Sequence, residues 1–438
     1  MRRLFVKMYG LVDCDNCFVS CERVFRPDLE GHPVVVLSNN DGCVISRSRE
    51  AKDIGIRMGM PYYQMREHYR DKEVTAFSSN YELYGNMSNR IMNILREEAP
   101  IVMQYSIDEA FLDLNGMENI NIKEWGENLS LKILKCVGMP VSIGIAKTKT
   151  LAKIASEFAK KYPGYNKCCY IDTDEKREKA IKVFPIDDVW GIGRKNSVKM
   201  EYFGIHTAYD FTLKSKSWVL KNFSITGVRT WFELKGYDCI PLDSLDSKRK
   251  SICTSRSFPN MIENFDDIRT HISNFAVRCA EKLRLQHSVA GLVTVFIDTN
   301  HLRYDLPQYG NGMSITLHTA SNATQTIVKA CFSILCDIYK EGYKYKRGGV
   351  IVTDICDECA VQTDFADYDA DNHRKMHVLT STIDNINRQN GKDMVVLGSQ
   401  QYKGKSNDGK NLKFSNAVKR ALKSPNYTEP YKFIVKSK

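Results

Sequence analysis

Two acidic residues stand side by side inside an otherwise apolar stretch, "IVMQYSIDEAFLDL" at 101–114, as Asp108 and Glu109. An ionised carboxylate moved into apolar surroundings without a partner shifts its pKa or destabilises the fold by several kcal/mol. The pair therefore implies positive charge nearby, and the chemistry it offers is metal binding or proton transfer. Neighbouring residues on a strand point to opposite faces, so adjacent acids converge only where the strand is interrupted. The pattern predicts a hairpin, with strands over 101–105 and 110–114 and Ser106, Ile107, Asp108 and Glu109 at or near its tip. A plain turn at a strand end is the competing explanation.

A third acid comes from "YGLVDCDNCFVSCERVFRP", read as an apolar strand over 9–12 that ends on Asp13, followed by a short helix closed by Pro27. Three carboxylates from two strands suit a pair of hard cations such as magnesium, which take oxygen ligands and bridge the attacking and leaving oxygens of a phosphoryl transfer. Between the acid-bearing segments lie Arg47, Arg49, Lys52, Arg57 and Arg66. Guanidinium and ammonium groups there would neutralise a triphosphate, and a solvated helix face is the alternative.

These side chains need a scaffold. "HPVVVLSNN" reads as a buried strand, 86–98 as a helix with Met87, Ile91, Ile94 and Leu95 on one side, and 139–146 as a third strand. It leads into "KTKTLAKIASEFAKKYPG", a helix whose Leu151, Ile154, Ala155 and Phe158 form the buried stripe while Lys153 and Lys160 share another face. Alternation of this kind indicates an α/β or α+β palm rather than a bundle. Over 173–242 short helices take over, and "VWGIGRKNSVKM" fits a helix-hairpin-helix turn, with Gly191 and Gly193 exposing backbone N–H groups to a phosphate and Arg194 and Lys195 just behind. "SITGVRTWFELKG" reads as a degenerate second copy. Residues 243–251 read as an exposed charged linker, and 252–355 as another α/β unit with strands near 289–299 and 349–355 and helices near 266–286 and 321–340. Lys344, Lys346 and Arg347 beside Tyr343 and Tyr345 suggest a second nucleic-acid surface. The polar, lysine-rich remainder, 356–438, is expected to be largely mobile.

The chain has 438 residues, enough for two to four domains, with Lys and Arg at 63 against 52 Asp and Glu, a formal +11 that favours a polyanionic partner. "MRRLFVKMYGLVDCD" makes a poor signal peptide because Lys7 interrupts its apolar run, and no run is long enough to span a membrane. Fourteen cysteines indicate reduced thiols, many of them packed in cores. Zinc is the alternative for Cys14/Cys17 and Cys356/Cys359, but neither pair has a second pair close by.

The ordered set "LVDCDNCFVSCE", "VVVLSNNDGCVISRSREAKDIGI", "FSSNYELYGNMSNR", "YSIDEAFLDL", "VSIGIAKTKTLAKIASEFAKK" and "DDVWGIGRK" closely resembles a Y-family, lesion-bypass DNA polymerase of the UmuC type, the catalytic subunit of a DNA polymerase V-like enzyme. The resemblance implies an α+β multidomain right hand: a palm of mixed sheet and helices (1–25 and 81–172), small fingers (26–80), a helical thumb with a helix-hairpin-helix (173–242), an α/β little finger (250–355) and a C-terminal tail (356–438) that binds partners or is partly disordered. It makes Asp13, Asp108 and Glu109 the catalytic acids, holding two Mg2+ ions together with the carbonyl of Cys14. Phe18 matches the steric gate against a ribose 2′-hydroxyl. Asn16, Cys17, Phe18, Ser46, Arg49, Lys52 and Lys160 fall on the nucleotide side, Arg49 standing where many relatives carry tyrosine. Gly191, Gly193, Arg194 and Lys195 match contacts to the DNA backbone. "VQTDFAD" supplies Gln362 and Phe365 as a candidate clamp contact, without the leucine that relatives commonly have.

The implied function is template-directed, low-fidelity DNA synthesis past damage in the SOS response, transferring a nucleotide from dNTP to a primer 3′-hydroxyl. Primer-template DNA and dNTP are the implied substrates, and a processed UmuD dimer, a recombinase filament and the sliding clamp the implied partners, in a bacterial cytoplasm at the nucleoid. The small fingers block, too short to close tightly over a base pair, fits low fidelity. Two other readings compete: a nucleotidyl cyclase, which shares a two-metal palm but has no use for the helix-hairpin-helix, and a DNA-binding protein without catalysis, which has no use for three acids.

Overall fold

The computed structural model describes residues 7–117, 119–241, 248–360, 370–390, 394–400, 420–425 and 427. The chain divides into two compact units, one of Met1–Asp246 with Arg420–Lys438 and one of Ser247–Lys419.

The first unit opens with β1 (Tyr9–Cys14) and α1 (Cys17–Phe25). Next come β2 (Val34–Leu37), β3 (Val44–Arg47), α2 (Arg49–Asp53), α3 (Tyr62–His68) and β4 (Thr75–Ser78). After them run α4 (Tyr81–Glu98), β5 (Ile101–Gln104), β6 (Glu109–Asp113) and α5 (Ile122–Val137). β7 (Val141–Ala146), α6 (Lys149–Lys161) and β8 (Cys168–Ile171) lead to the helices α7 (Asp174–Val183), α8 (Arg194–Tyr202), α9 (Ala208–Thr212) and α10 (Lys216–Leu234).

Five strands form one sheet in the order β5-β6-β1-β7-β8, which puts β1 at its centre between antiparallel neighbours β6 and β7. All six residues of β1 are buried because both sheet faces are covered. Val12 packs with Met87, Ile91 and Leu95 of α4 and with Leu129 and Ile133 of α5. On the opposite face Leu11 and Phe111 pack with Leu151, Ile154 and Ala155 of α6. Since side chains alternate along a strand, Asp13 and Glu109 share the α6 face with Leu11 and Phe111. Three further strands form a second sheet, β3-β2-β4, antiparallel then parallel, over Val35, Leu37, Val44, Ala51, Ile56 and Met65.

Two departures from the sequence reading bear on the site. β1 continues through Asp13 to Cys14, so Asp13 lies within the ladder and not beyond its end. α4 starts at Tyr81 and not near 86, because the Asn80 side chain caps it, accepting from the Leu83 amide at 3.4 Å.

α6 lies against β7 at Gly144, where a Cβ would stand 2.0 Å from the Ala152 carbonyl oxygen and 2.1 Å from the Ser156 nitrogen. Those atoms are helix backbone and cannot swing aside. Gly144→Ala therefore lifts α6 from the sheet and lowers stability by about 3 kcal/mol, read as a lower denaturant midpoint at unchanged slope.

The second unit holds β9 (Ile252–Ile262), α11 (Phe265–Leu285), β10 (Ser288–Thr299), β11 (Gly310–Ser321), α12 (Thr324–Ile338), β12 (Tyr345–Asp357) and α13 (Ala370–Gln389). Its sheet runs β11-β10-β12-β9, antiparallel throughout, and packs on α11 and α12. β9 and β11 were not foreseen. In the aromatic-basic cluster at 343–347, Lys344 and Arg347 are exposed, but Tyr345 is not part of that surface: it is fully buried, its hydroxyl donating to the Lys340 carbonyl and accepting from the Lys340 amide, both at 2.9 Å. Of the stretch from 356 onward, α13 joins the second unit through Asp384, which binds Arg284 in a two-pronged ion pair at 2.6 and 2.8 Å, while 420–425 and 427 belong to the first. Among the described residues no helix is long and apolar enough to cross a membrane.

Candidate active site

The hairpin of β5 and β6 turns through Ser106, Ile107 and Asp108, and one hydroxyl organises that tip. Ser106 Oγ accepts from the amides of Asp108 (3.1 Å) and Glu109 (2.9 Å) and donates to Asp108 Oδ1 (2.5 Å). Asp108 thereby leaves the ladder while its carbonyl still accepts from the Cys14 amide at 2.9 Å. Glu109 stays in the ladder directly opposite Asp13.

Like charges facing each other across a strand pair repel, so this placement needs compensation. It comes from α6, where Lys153 and Lys160, two helical turns apart, face the sheet. Lys153 binds Glu109 at 2.5 Å; Lys160 lies 3.1 Å from Asp13 and 3.9 Å from Asp15. Burial pushes the Asp13 carboxyl up to about 7, with Glu109 adding to the rise and Lys160 opposing it. Burial works against the Lys160 ammonium, but Asp13, Asp15 and Glu157 hold it above its ordinary range. Asp15, not among the residues expected at the site, is buried and tied to Lys167 (2.6 Å) and Ser142 (2.9 Å), a brace under the same corner.

A cavity of about 250 Å³ opens over this corner, lined by Asp13, Cys14, Asn16, Cys17, Phe18, Ile45, Ser46, Arg47, Lys52, Met58, Asp108 and Lys160. The sheet β3-β2-β4 and α2 reach it through Asn16, which adopts a left-handed conformation (φ 49°) ahead of α1. Its side chain accepts from Lys52 Nζ at 2.6 Å and its carbonyl from Ser46 Oγ at 3.4 Å. Burial, then the neighbouring charges of Lys160 and Arg47, lower the Lys52 ammonium below its ordinary range. Three cations that repel one another around an open cleft make a receptor for a polyanion. The third is Arg47 and not Arg49, which is exposed and does not line the cleft. The strand end was the missed signal, since β3 closes on Arg47 at the cleft whereas Arg49 starts α2.

Phe18 stands in the second position of α1, its ring stacked on Tyr84 (centroids 4.5 Å apart, 14° between planes) and edge-on to Tyr81 at 5.8 Å. Cys14, Cys17 and Cys21 are buried in the core behind it. Among the described residues no group of three or more His, Cys, Asp or Glu side chains is gathered to hold a metal: Asp13 and Glu109 are turned to lysines and Asp108 to Ser106.

Gly191 takes the left-handed conformation (φ 92°) a tight turn requires, and Gly193 is the residue just before α8, with Arg194 and Lys195 exposed in the helix's first turn. The segment read as a second copy is the latter part of α10, broken at Ser224 (φ 59°). Gln362 and Phe365 lie outside the described residues.

Residues 12–157 match the profile of the impB/mucB/samB family and residues 249–365 that of the family's C-terminal domain. Protein UmuC of Salmonella typhimurium is 36% identical over 433 residues, covering 98% of this chain and 100% of the relative. DNA polymerase IV 1 of Halalkalibacterium halodurans is 25% identical over 397 residues, 88% of this chain and 92% of the relative. A Dbh-based Y-family DNA polymerase chimera superposes with a TM-score of 0.66 at 22% identity, covering 80% of this chain and 99% of the chimera.

Proposed function

The chain belongs to the impB/mucB/samB family and is a Y-family DNA polymerase that acts in translesion synthesis; from that premise we propose that it joins nucleotides by two-metal-ion phosphoryl transfer at the Asp13–Glu109 pair. The observation that carries the mechanism is the placing of these two carboxylates face to face, neutralised by Lys160 and Lys153, at a cleft where Arg47 and Lys52 converge.

The donor set fits a pair of hard divalent cations. Asp13, Asp108, Glu109 and the Cys14 carbonyl offer only oxygen, and the side chains of Asp13 and Glu109 are 9% and 14% exposed. When bound, two magnesium ions supply activation of the primer 3′-hydroxyl and neutralisation of the triphosphate. Arg47, Lys52 and Lys160 hold the triphosphate oxygens, and Ser46 and the Asn16–Cys17 backbone border them. Phe18, fixed between Tyr84 and Tyr81, presents its ring to the sugar and leaves no room for a 2′-hydroxyl. Gly191, Gly193, Arg194 and Lys195 grip the duplex backbone. In this reading 1–25 with 81–172 serve as palm, 26–80 as fingers, 173–242 as thumb and 250–355 as little finger. Assembly with a processed UmuD dimer, a recombinase filament and the sliding clamp belongs to the same proposal.

The raised Asp13 carboxyl gives metal binding a pH dependence of definite sign. Below about pH 7 this acid carries a proton that a cation must displace, so magnesium affinity falls by about tenfold per pH unit below that point and levels off above it. Calorimetric titration of the DNA-free protein with magnesium between pH 5.5 and 8.5 reads the slope. A flat profile removes Asp13 from the ligand set.

Primer extension with magnesium on undamaged and abasic templates tests the mechanism. Extension through both is expected. Steeply salt-dependent DNA binding without extension, even with UmuD-type partners and the clamp added, would leave a DNA-binding factor.

A further inference from the structure

Residues 420–425 and 427 pack on the first unit at several elements. Lys423 makes a parallel β-bridge with Ser78 on β4, the Ser78 amide donates to the Leu422 carbonyl at 3.0 Å, and the Leu422 amide donates to Ser78 Oγ at 2.9 Å. The Ala421 amide donates to Asp41 Oδ2 at 3.0 Å, and Lys423 pairs with Glu82 of α4 at 3.0 Å. Tyr427 stacks on Phe25, the last residue of α1, with centroids 4.5 Å apart and planes 1° from parallel.

Ser424 makes the contact that reaches furthest. Buried to 5% exposure, its hydroxyl accepts from Asn80 Nδ2 at 3.0 Å and donates to Glu22 Oε1 at 3.1 Å. Glu22 of α1 is fully buried, and the same oxygen accepts from the Tyr84 hydroxyl at 2.8 Å, while its Oε2 has no hydrogen-bond partner among the described residues. A buried carboxyl with so few donors depends on each of them. Tyr84 in turn lies face to face with Phe18. The chain of contact therefore runs Ser424, Glu22, Tyr84, Phe18, and Asn80, bound to the same Ser424, is the cap of α4.

We propose that this segment is a strap in which Ser424, 402 positions after Glu22, is a positioning residue for Phe18, so that choice between deoxyribo- and ribonucleotides depends on the strap's docking. The inference rests on the reading of Phe18 as the sugar gate. Ser424 touches neither substrate nor reacting atoms. It acts by fixing the carboxyl that fixes the tyrosine on which the ring is stacked.

The test compares full-length wild type with Ser424→Ala, Ser424→Thr and Leu422→Pro, the last removing the amide that binds Ser78. The readout is the ratio of kcat/KM for a dNTP to that for the matching rNTP. A smaller folded fraction lowers both rates together and leaves the ratio unchanged, so the ratio separates positioning from stability. Ser424→Ala is expected to lower it about tenfold, the worth of one hydrogen bond to a carboxylate, and Leu422→Pro to lower it about as much by undocking the segment that carries Ser424, with Ser424→Thr keeping the wild-type ratio. Amide hydrogen exchange over 17–25 and 81–84 is followed in parallel, and both stretches are expected to exchange faster in the first and third variants. An unchanged ratio overturns the proposal whatever the exchange shows. If the wild type itself extends no primer, the polymerase mechanism has failed; exchange then decides the strap alone, faster exchange supporting it and equal exchange overturning it.

Discussion

Replacing Asp108 and Glu109 together with alanine abolishes primer extension, lowering kcat/KM by about 10⁴-fold or more while affinity for primer-template DNA stays within a factor of about two. The loss is large because both acids stand where charge must be neutralised, and nothing else in the cleft lining replaces them: besides Asp13 and Asp108 it contains no carboxylate. The fold survives for a stated reason. Glu109 faces Asp13 across the strand pair, so its removal relieves a repulsion, and the Lys153 partner left behind is 22% exposed and can turn to water. DNA affinity should hold because Arg194 and Lys195 lie on a different element, at the start of α8. Fluorescence anisotropy for binding and single-turnover extension for chemistry make the comparison. Activity within tenfold of wild type would place the reacting metal elsewhere.

Phe18→Ala is expected to raise kcat/KM for ribonucleotides about 100-fold relative to deoxyribonucleotides, since rejection of one hydroxyl by a fixed apolar wall is worth about 1–3 kcal/mol. The wall is fixed because Tyr84 lies under the ring at 4.5 Å and Tyr81 meets its edge at 5.8 Å, which leaves the side chain little rotamer freedom. Truncation of a half-buried phenylalanine also lowers stability by about 1–3 kcal/mol. Competition between labelled rNTP and dNTP in one reaction reads selectivity free of that loss. An unaltered ratio excludes Phe18 as the element that reads the sugar.

The acid-bearing strands were legible because their sequences break their own rule: Asp13 and the Asp108–Glu109 pair interrupt apolar runs, and an interruption with that cost asks for a cause. Lys153 and Lys160 were legible as a helix face, though not as ion-pair partners, because the face they share becomes a site only once the sheet puts Asp13 and Glu109 beneath it. Arg47 was passed over for Arg49 because a cluster of cations in sequence does not say which of them a strand end directs into a cleft. Tyr345 read as surface because tyrosines beside lysines look alike in a binding face and in a core; what distinguishes them is a backbone partner, here Lys340, for the hydroxyl. The strap was invisible, since a polar, lysine-rich stretch carries no periodicity and its docking depends on single contacts such as Ser424 to Glu22.

The central position of β1 also sets the order in which the chain can fold during synthesis. Among the described residues β1 is the first strand to be made, yet both of its partners come later, and the second, β7, ends roughly 130 residues downstream. At about 5–20 residues per second, "YGLVDC" therefore waits roughly 7–25 s with at least one edge unpaired. An apolar strand with open edges is a template for pairing with another chain. Asp13, set within that strand, places a charge on it during the wait, and one charge in a short apolar segment opposes such pairing. A neutral replacement at Asp13 should therefore lower soluble yield as well as activity, an outcome read from the soluble fraction after expression.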